Sequence, residues 1–205
     1  MKIKTTPRRK SSPGFSPKIE ICILAGGLSS RMGQDKSKLR LGQRTLLSQI
    51  RRTAKTLGFP VRVIRRDLGP RCGPLGGIYT ALITTSAETV LFLACDMPQI
   101  SERLLRKILK QFGSRTNAIF TESDAAAGFP FLLRRSALAI IEQMVRGKKY
   151  SLQLLSKKIG AKQFRVSKSL QSDLINVNTP DDWKSLRDHA KSGNLTRSIV
   201  KSQIP

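Results

Sequence analysis

The sequence predicts a single α/β domain of the Rossmann-like kind, in which a mostly parallel sheet is flanked by helices. The first reason is that short β-branched, apolar segments alternate along the chain with segments whose apolar residues recur at helical spacing. The second is length, because 205 residues suffice for one domain with a substantial core but not comfortably for two. The third is the segment 89–94, almost entirely apolar, as is typical of central parallel strands.

The predicted elements follow from these two periodicities, taken in chain order. Short apolar runs predict strands at Ile19–Leu24, Val61–Ile64, Thr89–Ala94, 118–121, 129–133, 164–166 and 174–177. Helical spacing predicts helices at 46–57, at 79–83 after a Gly-Pro-Leu-Gly-Gly turn, and at 104–112, 137–145 and Leu152–Ile159. Pro180, Asp181 and Asp182 open a last helix, because proline suits the first turn and acids suit the positive end of the helix dipole.

Basic, polar segments flank the predicted domain, which spans 19–190. Residues 1–18 combine Lys and Arg with Ser, Thr and Pro and have no apolar periodicity, so they predict a disordered arm. Their acid-poor composition also suits an organelle transit segment, although the prolines disfavour the amphipathic helix that such a segment forms. Residues 191–205 are similarly basic and predict a loose tail.

The net charge of +25 and the pI near 11.1 indicate an anionic partner: nucleic acid, an acidic membrane surface or phosphorylated small molecules. Aromatic residues make up only 5% of the chain, and no basic segment is interleaved with them, so a nucleic-acid stacking surface is disfavoured. No run of eighteen apolar residues and no secretory signal pattern is present, so we expect a soluble, cytoplasmic protein without membrane contact.

Three cysteines, Cys22, Cys72 and Cys95, are widely spaced, and His189 is the only histidine. A structural zinc site needs more ligands in tighter groups, so no transition-metal site is predicted. An odd number of cysteines cannot all pair within the chain, which fits a reducing cytoplasm.

The most informative segment is 24–39, LAGGLSSRMGQDKSKL, a glycine-rich loop directly after the first strand. Gly26 and Gly27 lack a Cβ, so the backbone can turn sharply and bring its N–H groups against phosphate oxygens. Arg31 can fork onto two phosphate oxygens, and Lys36 can act as a point charge. The loop lacks the Gly-Lys-Ser/Thr ending of a Walker A motif and the G-x-G-x-x-G of a dinucleotide fold.

Two further polar segments follow predicted strands, where open α/β sheets bind their ligands. Cys95-Asp96-Met97-Pro98 places Asp96 directly after a buried strand, as either a helix cap or an oxygen ligand for Mg²⁺. Ser101 is the better cap candidate, so we predict a metal role for Asp96. Asn176-Val177-Asn178-Thr179-Pro180 fits a helix start with Asn178 or Thr179 as N-cap, and it also suits a ligand-facing loop.

Together these segments resemble the molybdenum cofactor guanylyltransferases and the wider family of similar NTP transferases. The loop matches the signature Leu-Ala-Gly-Gly-x-Ser-x-Arg-Met-Gly-x-Asp-Lys-x-x-Leu, and the family's Cys-Asp-x-Pro and Asn-x-Asn-Thr-Pro-x-Asp elements are matched at 95–98 and 176–182. The resemblance covers about residues 19–189. It implies the nucleotide-diphospho-sugar transferase type of fold and transfer of GMP from GTP to molybdopterin, with Mg²⁺ as cofactor and molybdoenzymes or cofactor-insertion proteins as further partners.

The resemblance also assigns roles to individual residues. It implies catalytic roles for Arg31, Lys36 and Asp96, metal binding by Asp96, and an acceptor-side position for Asn176 and Asn178. The nucleotide-binding residues that it implies are Leu24, Ala25, Gly26, Gly27, Ser29, Lys36, Asp67, Gly73, Pro74, Leu75 and Gly76. Gly73 to Gly77 match the family's Gly-Pro-Leu-Ala/Gly-Gly element, which would present backbone N–H groups at a helix start.

Three alternatives stay open at this point. Residues 123–130 are mostly small, where family members often present polar contacts to the acceptor, so the acceptor is less specified than the nucleotide. A cytidylyl or sugar-phosphate transferase would keep the same loop, although the pterin cytidylyltransferases typically carry Ala-Ala-Gly where this chain has Ala25-Gly26-Gly27. A non-catalytic GTP-binding or pterin-carrying protein is the third, but it has no evident need for Arg31, Lys36 and Asp96 together. The sequence leaves the oligomeric state open.

Overall fold

Six strands form the main sheet of the computed structural model, which describes residues 18–26, 38–69, 72–123 and 126–191. The strands are β1 (Ile19–Leu24), β2 (Arg40–Leu41), β3 (Arg44–Thr45), β4 (Val61–Ile64), β5 (Thr89–Ala94), β6 (Ala118–Ser123), β7 (Ala126–Arg134) and β8 (Lys162–Arg165). The helices are α1 (Leu46–Lys55), α2 (Pro74–Thr84), α3 (Glu102–Gln111), α4 (Leu138–Arg146), α5 (Leu152–Ile159) and α6 (Pro180–Lys191).

The main sheet has the strand order β4-β1-β5-β7-β6-β8, and β2 and β3 pair separately as a short hairpin. β1 pairs in parallel with both β4 and β5, and β6 pairs in parallel with β8. β7 is antiparallel to both of its neighbours. Five strands therefore share one direction, as the sequence predicts, and their carboxyl ends meet at one edge of the sheet.

The helices cover the two faces of this sheet. Alternate residues of β1 point to opposite faces, with Cys22 and Leu24 packed in one hydrophobic cluster and Ile21 and Ile23 in the other. The first cluster takes its helical residues from α2, α4 and α5, and the second takes them from α1 and α3. A third, smaller cluster packs Leu186 of α6 against Leu39, Leu46 and Val177.

Local capping explains where several helices begin. Thr45, Ser101 and Ser151 are the N-cap residues of α1, α3 and α5, and each hydroxyl accepts a hydrogen bond from the backbone N–H three residues on. α5 ends at Gly160, whose φ of 63° lies in the left-handed region that favours glycine. The prediction that Ser101 caps the helix after Asp96 is confirmed.

Two predicted elements need correction. The predicted strand at 174–177 is wrong: residues 168–174 form 3₁₀ turns, and the following residues cross the carboxyl edge of the sheet instead of pairing with a strand. Val177 is instead buried in the small cluster under α6, while Ile175 is exposed. The helix predicted at 79–83 begins earlier, at Pro74, because the Gly-Pro-Leu-Gly-Gly segment forms its first turn.

No helix among the described residues is long and apolar enough to cross a membrane. The predicted arm at 1–18 and the predicted tail at 191–205 lie outside the described residues, apart from Lys18 and Lys191.

Candidate active site

β1, β4 and β5 end at the same level, and this common edge carries the predicted site. Leu24 is in register with Ile64 of β4 and Ala94 of β5. Pairing continues just past the strands, because Ala25 N–H donates to the Ile64 carbonyl at 2.8 Å and Cys95 N–H donates to the Leu24 carbonyl at 3.0 Å. The start of the glycine-rich loop and Asp96 therefore lie at the carboxyl edge of the sheet, as the sequence predicts, and the structure adds that their strands are neighbours.

Gly26 lies directly against the backbone that follows β4. A Cβ built on Gly26 would meet the Arg65 carbonyl oxygen at 2.8 Å and its carbon at 3.1 Å, closer than real Cβ contacts come. From the sequence, we expect glycine at this position because a phosphate approaches the loop backbone closely. The structure adds a second requirement, since only glycine lets the loop leave β1 alongside the segment after β4.

The first turn of α2 covers the end of β1. A Cβ on Gly77 would lie 3.1 Å from a Leu24 methyl group, so this glycine permits close packing of the helix on the strand. Gly73 precedes the helix with a φ of 62° and a ψ of −143°, which residues other than glycine avoid, and no side chain caps this end. The positive end of the α2 dipole lies at this edge, while the Gly76 N–H is used within the turn, where it donates to the Gly73 carbonyl at 3.2 Å.

Burial limits what two of the predicted nucleotide-binding residues can offer. Leu24 and Leu75 are buried, and both pack in the cluster beneath α2. Gly76 is also buried, in the first turn of the helix. These residues can meet a nucleotide through their backbone groups, whereas their side chains belong to the core.

Asp67 lies close to the start of α2. Leu68 N–H donates to the Thr80 hydroxyl at 2.9 Å, and Gly69 packs against the Tyr79 ring, so the segment that carries Asp67 is fixed to the side of this helix. Burial raises the pKa of the Cys72 thiol, and the negative charge of Asp67 raises it further. The carboxylate is therefore near Cys72 and the first turn of α2, as expected if Asp67 precedes the nucleotide-binding element.

Asp96 and the asparagine-containing loop come together at the same edge. Val177 N–H donates to the Asp96 carbonyl at 2.8 Å, and the Val177 side chain is fully buried. Asn176 and Asn178 flank this anchored residue and are exposed, whereas Asp96 is half-buried. The sequence predicts that these residues lie at one end of the sheet, and the hydrogen bond from Val177 to Asp96 brings the two segments into contact.

A buried pair that the sequence analysis missed holds the same region. Asp173 accepts hydrogen bonds from the Ser101 N–H, at 3.0 Å, and from the Ser101 hydroxyl. Burial raises the pKa of Asp173, and the hydrogen bonds from Ser101 oppose this shift. With the bond from Val177 to Asp96, this pair ties the segment 173–177 to both ends of the segment 96–101.

Side chains at the start of α6 accept hydrogen bonds from the backbone N–H groups of the same turn. The Thr179 hydroxyl accepts from Asp182 N–H at 3.1 Å, and the Asp182 carboxylate accepts from the N–H groups of Asn178 and Thr179 at 2.9 and 2.8 Å. Of the two cap candidates, Thr179 therefore occupies the N-cap.

Four predicted site residues lie outside the described residues, so their predicted roles stay predictions: Gly27, Ser29, Arg31 and Lys36.

Gly26 offers a direct test of this edge. Gly26→Ala should lower the free energy of unfolding by about 1–3 kcal/mol, the usual cost of forcing a methyl group into a filled space. Affinity for a nucleoside triphosphate should also fall, because the start of the loop must move. Gly128→Ala is the matched control, since its added Cβ meets nothing within 4 Å. Thermal unfolding and calorimetric titration of both variants check this, and equal behaviour would contradict the assigned contact.

The fold and the edge site define an α/β protein of the nucleotidyltransferase type. A family model described as the MobA-like NTP transferase domain matches residues 21–163. The molybdenum cofactor guanylyltransferase of Xanthomonas euvesicatoria is 31% identical over 179 residues, which cover 80% of this chain and 92% of that protein. The chain therefore belongs to the MobA-like NTP transferase family, and its enzyme class is nucleotidyltransferase.

Solved structures share the fold. Molybdopterin-guanine dinucleotide biosynthesis protein A from Archaeoglobus fulgidus superposes with a TM-score of 0.68 at 18% identity, covering 84% of this chain and 99% of that one. A Mycobacterium tuberculosis protein solved in complex with manganese gives a TM-score of 0.55 at 17% identity, covering 85% of this chain and 100% of that one. At these identities the likeness concerns the fold alone.

Proposed function

We propose that the protein transfers GMP from GTP to the terminal phosphate of molybdopterin, or of its molybdenum-loaded form, and releases pyrophosphate. Family membership and the 31% identical guanylyltransferase support this reaction. The structural observation that carries it is the convergence of the start of the glycine-rich loop at Ala25 and Gly26, the first turn of α2 and Asp96 at one edge of the sheet. Residues 19–190 form the catalytic domain in this proposal.

The reaction requires the protein to align the two substrates more than to transfer protons. A phosphate oxygen of the acceptor attacks the α-phosphorus of GTP, the new P–O bond forms, and the bond to the β-phosphate oxygen breaks with pyrophosphate as leaving group. The attacking oxygen is already anionic, so no covalent enzyme intermediate and no strong general base are needed. Arg31 and Lys36 would neutralise the charge that develops on the α-phosphate and the leaving group.

A divalent cation, Mg²⁺ in our proposal, would be held by Asp96. Among the described residues, no three His, Cys, Asp or Glu side chains lie close enough together to bind a metal by themselves. One carboxylate at the edge suits Mg²⁺, which takes oxygen ligands and is completed by water and substrate phosphates. When bound, it supplies Lewis-acid stabilisation of phosphoryl charge. A Mycobacterium tuberculosis protein of the same fold, solved in complex with manganese, supports the use of a divalent cation.

The guanine nucleotide would lie between the loop and α2. In this proposal, Leu24 to Gly27, Ser29 and Lys36 contact the phosphates, and Gly73 to Gly76 contact the nucleoside through their backbone. Asp67, close to the start of α2, would accept hydrogen bonds from the nucleoside. Asn176 and Asn178 would face the acceptor, since Val177 anchors them beside Asp96.

The cellular setting belongs to the same proposal. We infer a cytoplasmic enzyme, which three unpaired thiols support, and burial raises the pKa of the Cys22 thiol to about 12, which keeps it protonated and unreactive. Molybdoenzymes or cofactor-insertion proteins would receive the product. The main competing proposal is a cytidylyl or sugar-phosphate transferase, which would use the same edge with another acceptor.

A product assay tests the reaction. Purified protein is mixed with Mg²⁺, each of the four nucleoside triphosphates in turn, and either molybdopterin or a sugar phosphate as acceptor, and the products are identified by mass spectrometry. We expect the guanine dinucleotide of molybdopterin and pyrophosphate with GTP only. A cytosine dinucleotide, or product only with a sugar phosphate as acceptor, would replace the guanylyl assignment by the competing one.

Nucleotide selectivity is checked separately. GTP should bind more tightly than CTP or ATP, because the Gly73–Gly77 turn and the Gly26-Gly27 backbone resemble the guanine-selecting members of the family. Calorimetric titration with each triphosphate measures this. Equal or tighter binding of CTP would favour the cytidylyl relatives.

A further inference from the structure

The two helical layers of the protein differ in charge. The helices on one face, α1 and α3, carry seven cations and one acid, Glu102; the cations are Arg51, Arg52, Lys55, Arg103, Arg106, Lys107 and Lys110. These seven side chains are exposed. The helices on the other face, α2, α4 and α5, carry three cations and one acid. Among these helices, the positive charge is therefore concentrated on one face of the sheet.

The charged sides of α1 and α3 form one continuous surface. The Arg106 guanidinium donates to the Thr56 carbonyl at the end of α1 at 3.1 Å, and it pairs with Glu102 at 2.6 Å. The two helices are thus in contact near the end of α1. We call the seven cations and the surface between them the basic face.

A groove adjoins the basic face on the far side of α3. It has a volume of about 400 Å³ and lies between α3 and the segment that begins with β8. Its floor is apolar, formed by Phe164 and Leu170, which are 7% and 4% exposed. Lys107, Lys110 and Arg165 line its rim, and Arg165 also pairs with Glu122 at 2.9 Å. β8 is the last strand of the sheet, so this side is open.

We propose that the basic face and its groove bind an acidic segment of a partner protein, which inserts one apolar side chain between Lys107, Lys110 and Arg165. Charge complementarity selects an acidic occupant and steers its approach. The apolar floor selects a protein over a nucleic acid, because a sugar-phosphate backbone offers nothing apolar to bury there. Phe164 is too deeply buried to serve as a stacking platform for bases.

This surface is separate from the proposed chemistry. The catalytic groups lie at the carboxyl ends of β1 and β5, whereas Lys107 and Lys110 lie in the second half of α3, which leads away from that edge. Binding there would leave the nucleotide site accessible. The proposal therefore does not depend on which nucleotide or acceptor the enzyme uses.

Fluorescence anisotropy with defined probes tests the proposal on the full chain. The probe is a short fluorescein-labelled peptide of Asp and Glu with one central Leu, and a second peptide has Ser in its place. The variant is Lys107→Glu with Lys110→Glu. The matched control is Lys157→Glu with Lys158→Glu, which makes the same charge change at exposed positions of α5 on the other face. Thermal unfolding of each variant checks that it is folded.

We expect the groove variant to lose about tenfold or more in affinity for the Leu peptide, and the α5 control to lose less than about twofold. The Ser peptide should bind several-fold more weakly than the Leu peptide to the wild-type protein. Equal losses of affinity in the two variants would show that net charge alone causes the effect, and this result would overturn the proposal. Equal binding of both peptides, no binding at low salt, or preferential binding of a duplex oligonucleotide would overturn it as well.

Discussion

Asp96→Ala should lower kcat by about a hundredfold or more, the scale of losing one group that stabilises transition-state charge, while the affinity for GTP falls much less. The two effects should separate because different elements supply them. Asp96 follows the end of β5, whereas in our proposal the nucleotide is held mainly by the loop after β1 and the first turn of α2. Steady-state kinetics and calorimetric titration of GTP measure the two quantities.

A second variant and a control sharpen this test. Asp96→Asn keeps the size of the side chain and removes its charge, so it should require more Mg²⁺ or Mn²⁺ for half-maximal rate than the wild-type enzyme. Glu142→Gln, on α4 in the opposite helical layer, is the control acid and should leave the metal requirement unchanged. Near-normal turnover of both Asp96 variants would refute the metal role and leave Asp96 a structural role at the edge.

The fold was predictable wherever one local pattern governs a segment. β1, β4 and β5 have the predicted bounds because a short, apolar, β-branched run has few other stable forms. Ser101 was recognisable as an N-cap from its position before a helical period. The antiparallel direction of β7 could not be predicted, because hydrophobic periodicity is the same for a strand running either way.

The segment 174–177 shows how the same pattern misleads. Its short apolar run, Leu-Ile-Asn-Val, predicts a strand, but among the described residues this segment pairs with no strand. Val177 is instead buried under α6, whereas Ile175, Asn176 and Asn178 are exposed. A short apolar run therefore predicts neither a pairing partner nor which of its side chains are buried, because the tertiary structure decides both.

The position of Asp96 was predictable, because a residue that follows a strand of a parallel sheet lies at its carboxyl edge. The 176–178 loop lies at the same edge, but the strand at 174–177 from which the sequence predicted this does not form. The close approach of Gly26 to Arg65 joins positions far apart in the chain, and so does the hydrogen bond from Val177 to Asp96. Contacts of this kind have no signature in local spacing.

The pair Asp173–Ser101 joins positions 72 residues apart, and it should matter both for stability and for catalysis. Asp173→Ala leaves two donors of the half-buried Ser101 without their acceptor, so the free energy of unfolding should fall by about 1–3 kcal/mol. The segment 173–177 would then lose one of the links that hold it beside Asp96, and kcat should fall by about tenfold or more because alignment is lost. Chemical denaturation and steady-state kinetics measure these changes.

Asp173→Asn should behave differently from Asp173→Ala, and the difference shows whether the hydrogen bonds from Ser101 cause the loss of stability and turnover. Its amide oxygen still accepts from Ser101, so most of the stability and turnover should remain. Because burial raises the pKa of Asp173 in the folded protein, the folded state binds the proton more readily than the unfolded chain does. The wild-type protein should therefore become more stable relative to Asp173→Asn as the pH falls from the raised pKa of Asp173 toward the ordinary pKa of an aspartate. It should lose this advantage again as the pH rises. If Asp173→Ala matched Asp173→Asn in both stability and kcat, the hydrogen bonds from Ser101 would not be what holds the two segments together.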